Sequence, residues 1–220
     1  MGLPRAFESI EFVGDRHEFL VRLARGKVVL HVGCAQHANI PMKNLHLKLV
    51  KAAEEVWGID IDEKGIEHMR KNGISNLILG DAREANFLLS DKQSYFDVVL
   101  VPEILEHTGD PIGILTSVSS LVSDKGVIVV TGPNSFGVRR FIWALLGYEA
   151  ESPDHRFTFH PSGLRLLCED ADLRAVKDFS AIESSHMGGF RHKMANLIFR
   201  AIFAWKPYLA DSIGLICTKQ

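Results

Sequence analysis

The chain has 220 residues, 46% hydrophobic and 24% charged, which suits a single well-packed domain spanning residues 1–220. Its net charge of −2 and scattered basic residues exclude the electrostatic footprint of a nucleic-acid-binding protein. No basic segment with an apolar core opens the chain, and the three cysteines are widely spaced in apolar runs. We therefore expect a cytoplasmic protein with buried thiols.

The first predicted element is an amphipathic helix over Asp15 to Arg25, with apolar residues on one face and charges on the other. Gly26 ends it, and Lys27 to Val32 follows as a buried strand. Residues 1–26 are thus expected to form a helical lead-in.

Helix-like and strand-like segments then alternate along the chain. Helices are predicted at Met42–Glu55, Glu63–Asn72, Pro111–Val122 and Ser162–Ala171. Strands are predicted at Val56–Ile61, Asn76–Leu79, Phe96–Val101, Gly126–Thr131, Arg174–Phe179 and Ser212–Thr218. Strands separated by helices imply parallel βαβ units in a doubly wound α/β sheet, whose ligands bind at the carboxyl ends of the strands.

Two irregular segments, Asn134 to Pro161 and Ala181 to Met194, interrupt the alternation. Segments of that length are more often lids or binding loops than connectors, so we expect substrate-side insertions at 134–161 and 181–205. In the first, Arg139 and Arg140 open an apolar helix-like run. That run is either a lid whose arginines meet a phosphate or carboxylate, or a core helix with its arginines in solvent.

A second apolar run, Met194 to Trp205, is too short to span a bilayer, which takes about 20 residues. It could serve a homodimer, a peripheral contact with a membrane surface, or only the core.

The ends of the predicted strands carry small residues and acids. After the first strand, VVLHVGCAQHAN holds Gly33 and Ala35, which allow close approach of a ligand, but a strand and a turn would look the same. Asp60 ends the second strand about 20 positions later, where dinucleotide folds place the acid that meets the ribose. Asp62 can cap the next helix, which leaves Asp60 for a ligand. Asp81 follows the third strand and is either a ligand or a cap.

The fourth strand runs into PEILEHTGDP, where Glu103, Glu106 and His107 crowd together. Acids at three successive strand ends favour ligand binding over coincidence.

Five motifs occur in order between about Lys27 and Leu173: VVLHVGCAQ, VWGIDID, LILGDARE, FDVVLVPEILEHTGDP and GVIVVTGPN. They are similar to the patterns VLDVGCGxG, VxGxDxS, FxxGDAxx, FDxVxxxxxLEHxxDP and GxxxxxxPN. The chain thus resembles the class I S-adenosylmethionine-dependent methyltransferases, in the small-molecule branch typified by quinone-biosynthesis and type 11 enzymes. The resemblance implies a mostly parallel seven-stranded sheet with an antiparallel last strand, and S-adenosylmethionine as cofactor.

By position, the resemblance implies cofactor contacts at His31, Gly33, Cys34, Ala35, Asp60, Ile61, Asp81, Ala82, Pro102 and Glu103. Gly33 and Ala35 would line the methionine and ribose portion, and Pro102 and Glu103 would lie by the sulfonium. Asp60 would hold the ribose hydroxyls with Ile61 against the adenine. Asp81 would accept from the adenine amino group, with the Ala82 amide at the ring.

The first loop departs from the family pattern. His31 replaces the usual acid, Ala35 and His37 replace glycines, and Pro41 delays the following helix, which indicates a longer loop. We expect the methionine end of the site to differ and the nucleoside end to be kept.

Methyl transfer is an in-line displacement in which the protein aligns the acceptor, and a hydroxyl acceptor gains from a base. His107 is the first candidate for that base, its alternative being a structural role. His155 and His160 are weaker candidates. No Cys, His and acid grouping has zinc-site spacing, so no metal is expected.

Three functions stay open. The leading one is a methyltransferase acting on a small-molecule or a glycan- or lipid-linked hydroxyl acceptor. The second is a degenerate relative that binds the nucleoside or a partner without catalysis, as the changed first loop suggests. The third is an NAD-dependent oxidoreductase, which fits a parallel sheet but lacks the glycine pattern.

Overall fold

The computed structural model describes residues 9–183 and 190–220. The helices are α1 Arg16–Ala24, α2 Leu45–Val50, α3 Glu63–Lys71, α4 Ala85–Leu88, α5 Pro111–Ser119, α6 Val138–Leu145, α7 Pro161–Glu169 and α8 Phe190–Trp205. The strands are β1 Glu11–Asp15, β2 Val28–Val32, β3 Glu55–Asp60, β4 Leu77–Leu79, β5 Phe96–Pro102, β6 Val122–Pro133, β7 Leu173–Ile182 and β8 Ser212–Lys219.

The strands form one sheet in the order β1-β7-β8-β6-β5-β2-β3-β4. β2 to β6 are parallel, and β8 runs antiparallel between β6 and β7, which confirms the expected α/β sheet with an antiparallel last strand. The expected number of strands was wrong, because β1 pairs in parallel with β7 at the sheet edge. This strand is short, contains Gly14 and is not fully buried, so its apolar signal is weak and the sequence predicts only a helical lead-in there.

The chain order reverses beside β2. From β2 it proceeds outward to β3 and β4, and it then returns to β5 on the opposite side of β2. This reversal opens a crevice at the carboxyl ends of β2 and β5, the position where ligands bind in open α/β sheets.

Helices cover both faces of the sheet. Leu30 and Val32 on β2 belong to a core cluster with Leu115 of α5 and Leu164 of α7, whereas Val29 packs in a cluster with residues of α1 and α2. Alternate side chains of β2 therefore pack into the cores on opposite faces of the sheet, and the crevice lies beyond the strand's carboxyl end.

Several predicted bounds change. The helix predicted at Met42–Glu55 shortens to α2, because turns occupy residues 41–43 and Asn44 caps the helix with its side chain. The longer loop expected between β2 and the next helix is confirmed, because β2 ends at Val32 and α2 begins at Leu45. Residues 181 and 182 belong to β7 rather than to an irregular segment, and part of that segment lies outside the described residues.

All three cysteines are buried, as expected. Within residues 9–183 and 190–220, no helix combines the length and apolar character needed to cross a membrane.

Candidate functional site

A cavity of about 610 Å³ opens at the carboxyl ends of β2 to β5. Seven of the sequence-predicted site residues line it: Gly33, Asp60, Ile61, Asp81, Ala82, Glu103 and His107. Its volume is in the range of small-molecule sites. The structure thus brings together acids from three separate strand ends, which is the arrangement that the order of elements predicted.

Four predicted residues lie outside the wall of this cavity. The predicted cofactor contact of the Cys34 side chain is corrected, because this side chain is buried among Ala35, Ile66 and Met69. Burial raises the pKa of its thiol, so it acts as a core residue. The backbone amide of Ala35 donates a hydrogen bond to Asp60, which lines the cavity. Pro102 and His31 line a second, smaller cavity.

Asp60 organises the first loop as well as facing the cavity. Its Oδ2 accepts from the Ala35 amide at 2.7 Å, and its Oδ1 accepts from the Asp62 amide at 2.9 Å. The expected side-chain cap by Asp62 is wrong, because Asp62 stands at the N-cap of α3 but makes no side-chain cap bond, whereas Asp60 does face the cavity as expected. Each carboxylate oxygen keeps a lone pair for a further donor, so Asp60 can serve loop and ligand together.

Asp81 stands at the start of a single turn of 3₁₀ helix over Ala82–Glu84. Its carboxylate accepts from the Arg83 amide at 2.9 Å and is paired with the Arg83 guanidinium at 2.6 Å. The hydrogen bond from the Arg83 side chain lowers the pKa of Asp81. Asp81 therefore stays an anion in the cavity wall while it also caps the turn.

Two residues of the first loop adopt left-handed backbone. Gly33 has φ +78°, a conformation that favours glycine, and a Cβ there would lie 2.2 Å from Cδ1 of Ile104, which would have to move. His37, which stands where the family pattern has a glycine, has φ +56° and is exposed. The loop keeps the glycine-like conformation at residue 37 without the glycine, at some backbone strain.

His31 occupies the position of the family's acid but turns toward a second histidine. The two Nδ1 atoms of His31 and His46 are 3.3 Å apart, and their rings stack with centroids 5.5 Å apart. Both residues are buried, and burial lowers the pKa of His46 to about 4 and that of His31 below its ordinary value. The pair is therefore neutral and supplies no negative charge to the cavity.

Opposite charges lie close to this pair. Arg16 of α1 is buried and forms an ion pair of 2.7 Å with Glu103, which also accepts from the Ser212 hydroxyl at 2.7 Å. Glu103 has φ +52°, a strained conformation for a glutamate directly after β5. Arg16 and His31 share a cavity of about 10 Å³ with Gly33. Glu103 of this ion pair lines the main cavity, whereas Arg16 lines only the smaller one.

His107 lines the other end of the cavity, together with Asp154 and Arg156. Its Nδ1 lies 3.1 Å from the Asp154 carboxylate, and its ring meets that of His155 at 4.7 Å between centroids. The preceding residue, Glu106, is fully buried. Burial and the neighbouring Glu103 raise the pKa of Glu106 to about 9.

His160 does not belong to this group. Its ring accepts from the Gly163 amide at 3.0 Å and caps α7, so its candidacy as a base is corrected to a capping role.

The arginines of the insertion are engaged within the protein. Arg139 pairs with Asp211 at 3.2 Å, and Arg140 pairs with Glu151. Both side chains are partly buried and α6 has no buried residue, which contradicts the alternative of a core helix with its arginines in solvent; the lid stays a prediction. These ion pairs fasten α6 to the body of the protein and to the segment that carries His155.

Sequence reasoning missed several residues that line the two cavities, among them Arg16, Gln36, Ile104, Asp154 and Arg156. Arg16 looks like the charged face of an amphipathic helix, and Asp154 and Arg156 lie far along the chain in an irregular segment. Gln36 and Ile104 lie next to motif residues, and Asp154 and Arg156 flank the weaker candidate His155, so these four carried a signal that Arg16 did not.

Comparisons with known proteins agree on one family. A family model described as "Methyltransferase domain" matches residues 7–178. A ubiquinone biosynthesis O-methyltransferase from Shewanella sp. (strain ANA-3) is 26% identical over 67% of this chain and 64% of its own length. One of the same name from Actinobacillus pleuropneumoniae serotype 5b (strain L20) is 28% identical over 68% of this chain and 66% of its length. The chain therefore spans just under two thirds of the length of these relatives. A crystal structure of a SAM-dependent methyltransferase from Archaeoglobus fulgidus matches with TM-score 0.62 and 22% identity, covering 93% of this chain and 91% of that one. This likeness shows a shared fold.

Proposed function

The chain belongs to the methyltransferase domain family, among the class I S-adenosylmethionine-dependent methyltransferases, and from this premise we propose that it methylates a hydroxyl group of a small-molecule or lipid-linked acceptor. The observation that carries the proposal is the cavity itself. Acids from three strand ends line one part of it, and His107 lines another. A cofactor and an acceptor can thus meet within one cavity.

The part of the cavity lined by Asp60, Ile61, Asp81 and Ala82, the nucleoside end, suits the adenosine of the cofactor. Asp60 presents carboxylate oxygens to the cavity, which suits the two vicinal ribose hydroxyls. Ile61 is 74% exposed although it lines the cavity, so it offers an apolar surface to the adenine ring. Asp81 and the Ala82 amide line the same cavity as Ile61, where they can form hydrogen bonds with the polar edge of the adenine. These roles follow the family pattern residue by residue.

The methionine end is bound differently from the family pattern. The amino acid part of the cofactor is a zwitterion, and the buried pair of Arg16 and Glu103 offers it both signs of charge. We assign the carboxylate to Arg16 and the amino group to Glu103. Because Glu103 binds the amino group, the neutral His31 needs no contact with it, and the acid that the family has at residue 31 is not required.

A hydroxyl acceptor is favoured by His107. With Nδ1 held by Asp154, its Nε2 is the basic atom, and in this position it can take the proton of a hydroxyl in the cavity. The two curated relatives are O-methyltransferases by name, which supports methyl transfer to an oxygen atom.

The acceptor is expected to be acidic or lipid-linked, or both. Arg156 lines the cavity and has no ion-pair partner within the described part of the chain. The insertion that carries it also holds an apolar groove of about 390 Å³, lined by Phe136, Val138 and Phe141 of that segment and by Leu209. A charged group and an apolar chain on one acceptor would be recognised by these two surfaces.

Calorimetry tests the cofactor half of the proposal. S-adenosylhomocysteine should bind, and NAD should not. Heat with NAD alone would favour an oxidoreductase, and binding of S-adenosylhomocysteine without turnover of any hydroxyl acceptor would favour the degenerate relative. Mass spectrometry of lipid and phenolic acceptors after incubation with S-adenosylmethionine then tests the acceptor half, with a gain of one methyl group as the expected result.

A further inference from the structure

Two neighbouring helices carry large apolar side chains that stay exposed on the chain. All of residues 141–150, which include the C-terminal half of α6, are exposed, and α6 has no buried residue. In α8, Phe203 is buried, whereas the opposite side of the helix carries exposed apolar residues. The two helices are joined, since the Arg139 guanidinium donates to the Asn196 side chain at 2.7 Å and lies over the Phe199 ring at 4.4 Å.

The exposed apolar side chains of α8, of α6 and of the turn after α6, other than Phe141, are named here the α6–α8 face. Eight large side chains belong to it, each 41–76% exposed: Ile142, Trp143, Leu145, Leu146, Tyr148, Leu197, Ile198 and Trp205. Phe141 is left out because it lines the apolar groove assigned above to the acceptor. The spacing of residues 142, 145 and 146, and that of 197, 198 and 205, places each set along one side of a helix.

The size of the α6–α8 face indicates a partner. Since a buried aromatic side chain covers about 150–250 Å², the exposed parts of these eight side chains amount to roughly 900 Å² of surface. The largest apolar patch on a typical monomer is about 300–600 Å², and a stable protein interface buries about 800 Å² on each partner. The face is therefore larger than a single chain normally leaves in water, and it is large enough for one stable interface.

The charges beside this face favour a second copy of the chain over a lipid surface. Arg139 and Arg140 of α6 are already in ion pairs within the chain, and the exposed Glu149 follows this helix. α8 carries the exposed Arg200 and is followed by Lys206. The α6 side of the face thus ends in an anion and the α8 side carries cations, so each side is complementary to the other side of a second copy. A helix that binds anionic lipid is instead rich in Lys and Arg on its polar face.

We propose that the α6–α8 face is the interface of a symmetric homodimer, in which α6 of each copy packs on α8 of the other. The same contact then occurs twice across a two-fold axis, as in other isologous interfaces. Two helices from each copy form one bundle, and the apolar side chains of the face are buried between them. Glu149 of one copy lies near Arg200 of the other at the rim of the interface.

The dimer also supports the acceptor end of the cavity. Arg140 of α6 forms an ion pair with Glu151, whose carboxylate lies 2.9 Å from the His155 ring. Asp154 and Arg156, which line the cavity, lie on either side of His155. A second copy that packs on α6 thus holds the segment that completes the acceptor end. This consequence rests on the proposed function, whereas the dimer itself does not.

Light scattering and sedimentation velocity of the full chain over a range of concentrations test the dimer. We expect the mass of two chains, and Leu145→Glu or Trp205→Glu should raise the dissociation constant of the dimer at least about tenfold, as loss of a well-buried interface residue does. Phe87→Glu, at a similarly exposed apolar residue of α4 outside the face, is the matched control and should dimerise as the wild type does. The mass of a single chain at every concentration, or equal dissociation constants in all four proteins, would overturn the proposal.

Charge reversal tests the packing of α6 on α8. Glu149→Arg and Arg200→Glu should each weaken the dimer about two- to fivefold, the range for exposed ion pairs. The two changes combined should restore the affinity of the wild type, because opposite charges then meet again across the interface. A double variant no tighter than either single variant would overturn this arrangement of the helices.

Two further measurements separate the dimer from lipid binding and from the cofactor site. In flotation with vesicles of phosphatidylglycerol and phosphatidylcholine, the wild type should remain unbound. Flotation of the wild type that Leu145→Glu abolishes would assign the face to a membrane and overturn the proposal. Leu145→Glu and Trp205→Glu should bind S-adenosylhomocysteine as the wild type does, which shows that they are folded. Failure of every protein to bind it, the wild type included, would count against the proposed function and not against the dimer.

Discussion

Acid should destabilise the protein through the buried His31–His46 pair. Burial lowers the pKa of His46 from 6.5 to about 4. In the folded chain this imidazole stays neutral, while the unfolded chain takes up its proton as the pH falls below about 6.5, so stability is present at neutral pH and is lost toward acid. At about 1.4 kcal/mol for each pH unit, His46 alone removes about 2 kcal/mol between roughly pH 7.5 and pH 5. His31 is shifted in the same direction.

Thermal and urea unfolding of the wild type and His46→Gln across this pH range measure the effect. Glutamine keeps a polar group facing His31 but does not titrate, so its loss of stability in acid should be smaller by about 2 kcal/mol, or about 4–8 °C in Tm. His68→Gln, an exposed substitution on α3, should follow the wild type. Parallel losses of stability in the wild type and His46→Gln would refute the assignment of acid sensitivity to this pair.

Three predictions concern the cofactor end. Arg16→Gln should weaken S-adenosylhomocysteine binding about 10- to 100-fold, as expected for a charged hydrogen bond, but leave binding of methylthioadenosine, which lacks the amino acid, nearly unchanged; equal losses for both ligands would argue against the carboxylate contact. Asp60→Asn should weaken the binding of both ligands about tenfold or more, because it removes a charge that holds the loop amides and faces the ribose. Asp62→Asn is its control: it loses no side-chain cap bond and should bind both ligands normally in the same calorimetry. Gly33→Ala should lower the free energy of unfolding by about 1–2 kcal/mol, measured by urea, because an alanine at φ +78° is strained and its Cβ would displace Ile104 into the cavity; a stability equal to that of the wild type would contradict this reading of the loop.

The alternation of apolar runs was enough to predict the central sheet, because buried parallel strands are nearly continuous in Val, Ile and Leu. The same reasoning failed where the signal is weak or ambiguous. β1 is short and half-exposed, and the lysine- and leucine-rich segment before β3 looks helical through residue 55 although α2 ends at Val50. Whether such a segment continues as helix is decided by packing and caps, which its composition does not show.

The nucleoside end could be predicted because each of its acids directly follows a strand, and parallel strands bring their carboxyl ends to one edge. The acceptor end could not be, because it forms only when a distant insertion folds back. His107 and His155 touch, yet nothing in the intervening sequence indicates how that segment turns. The protein partners of Asp60 were equally invisible, since they are backbone amides and leave no trace in residue type.

His31, which replaces the family's acid in the first loop, is consistent with the charges around it. An acid at residue 31 would share a small cavity with Arg16, whose buried guanidinium already pairs with Glu103. Two carboxylates would then compete for one buried cation, and one of them would lose its hydration without gaining a partner. A neutral imidazole, satisfied by His46, leaves Arg16 to Glu103 and keeps the pair of opposite charges beside Gly33. Beside this neutral residue at the end of β2, the negative charge at the methionine end of the cavity is supplied by Glu103 at the end of β5.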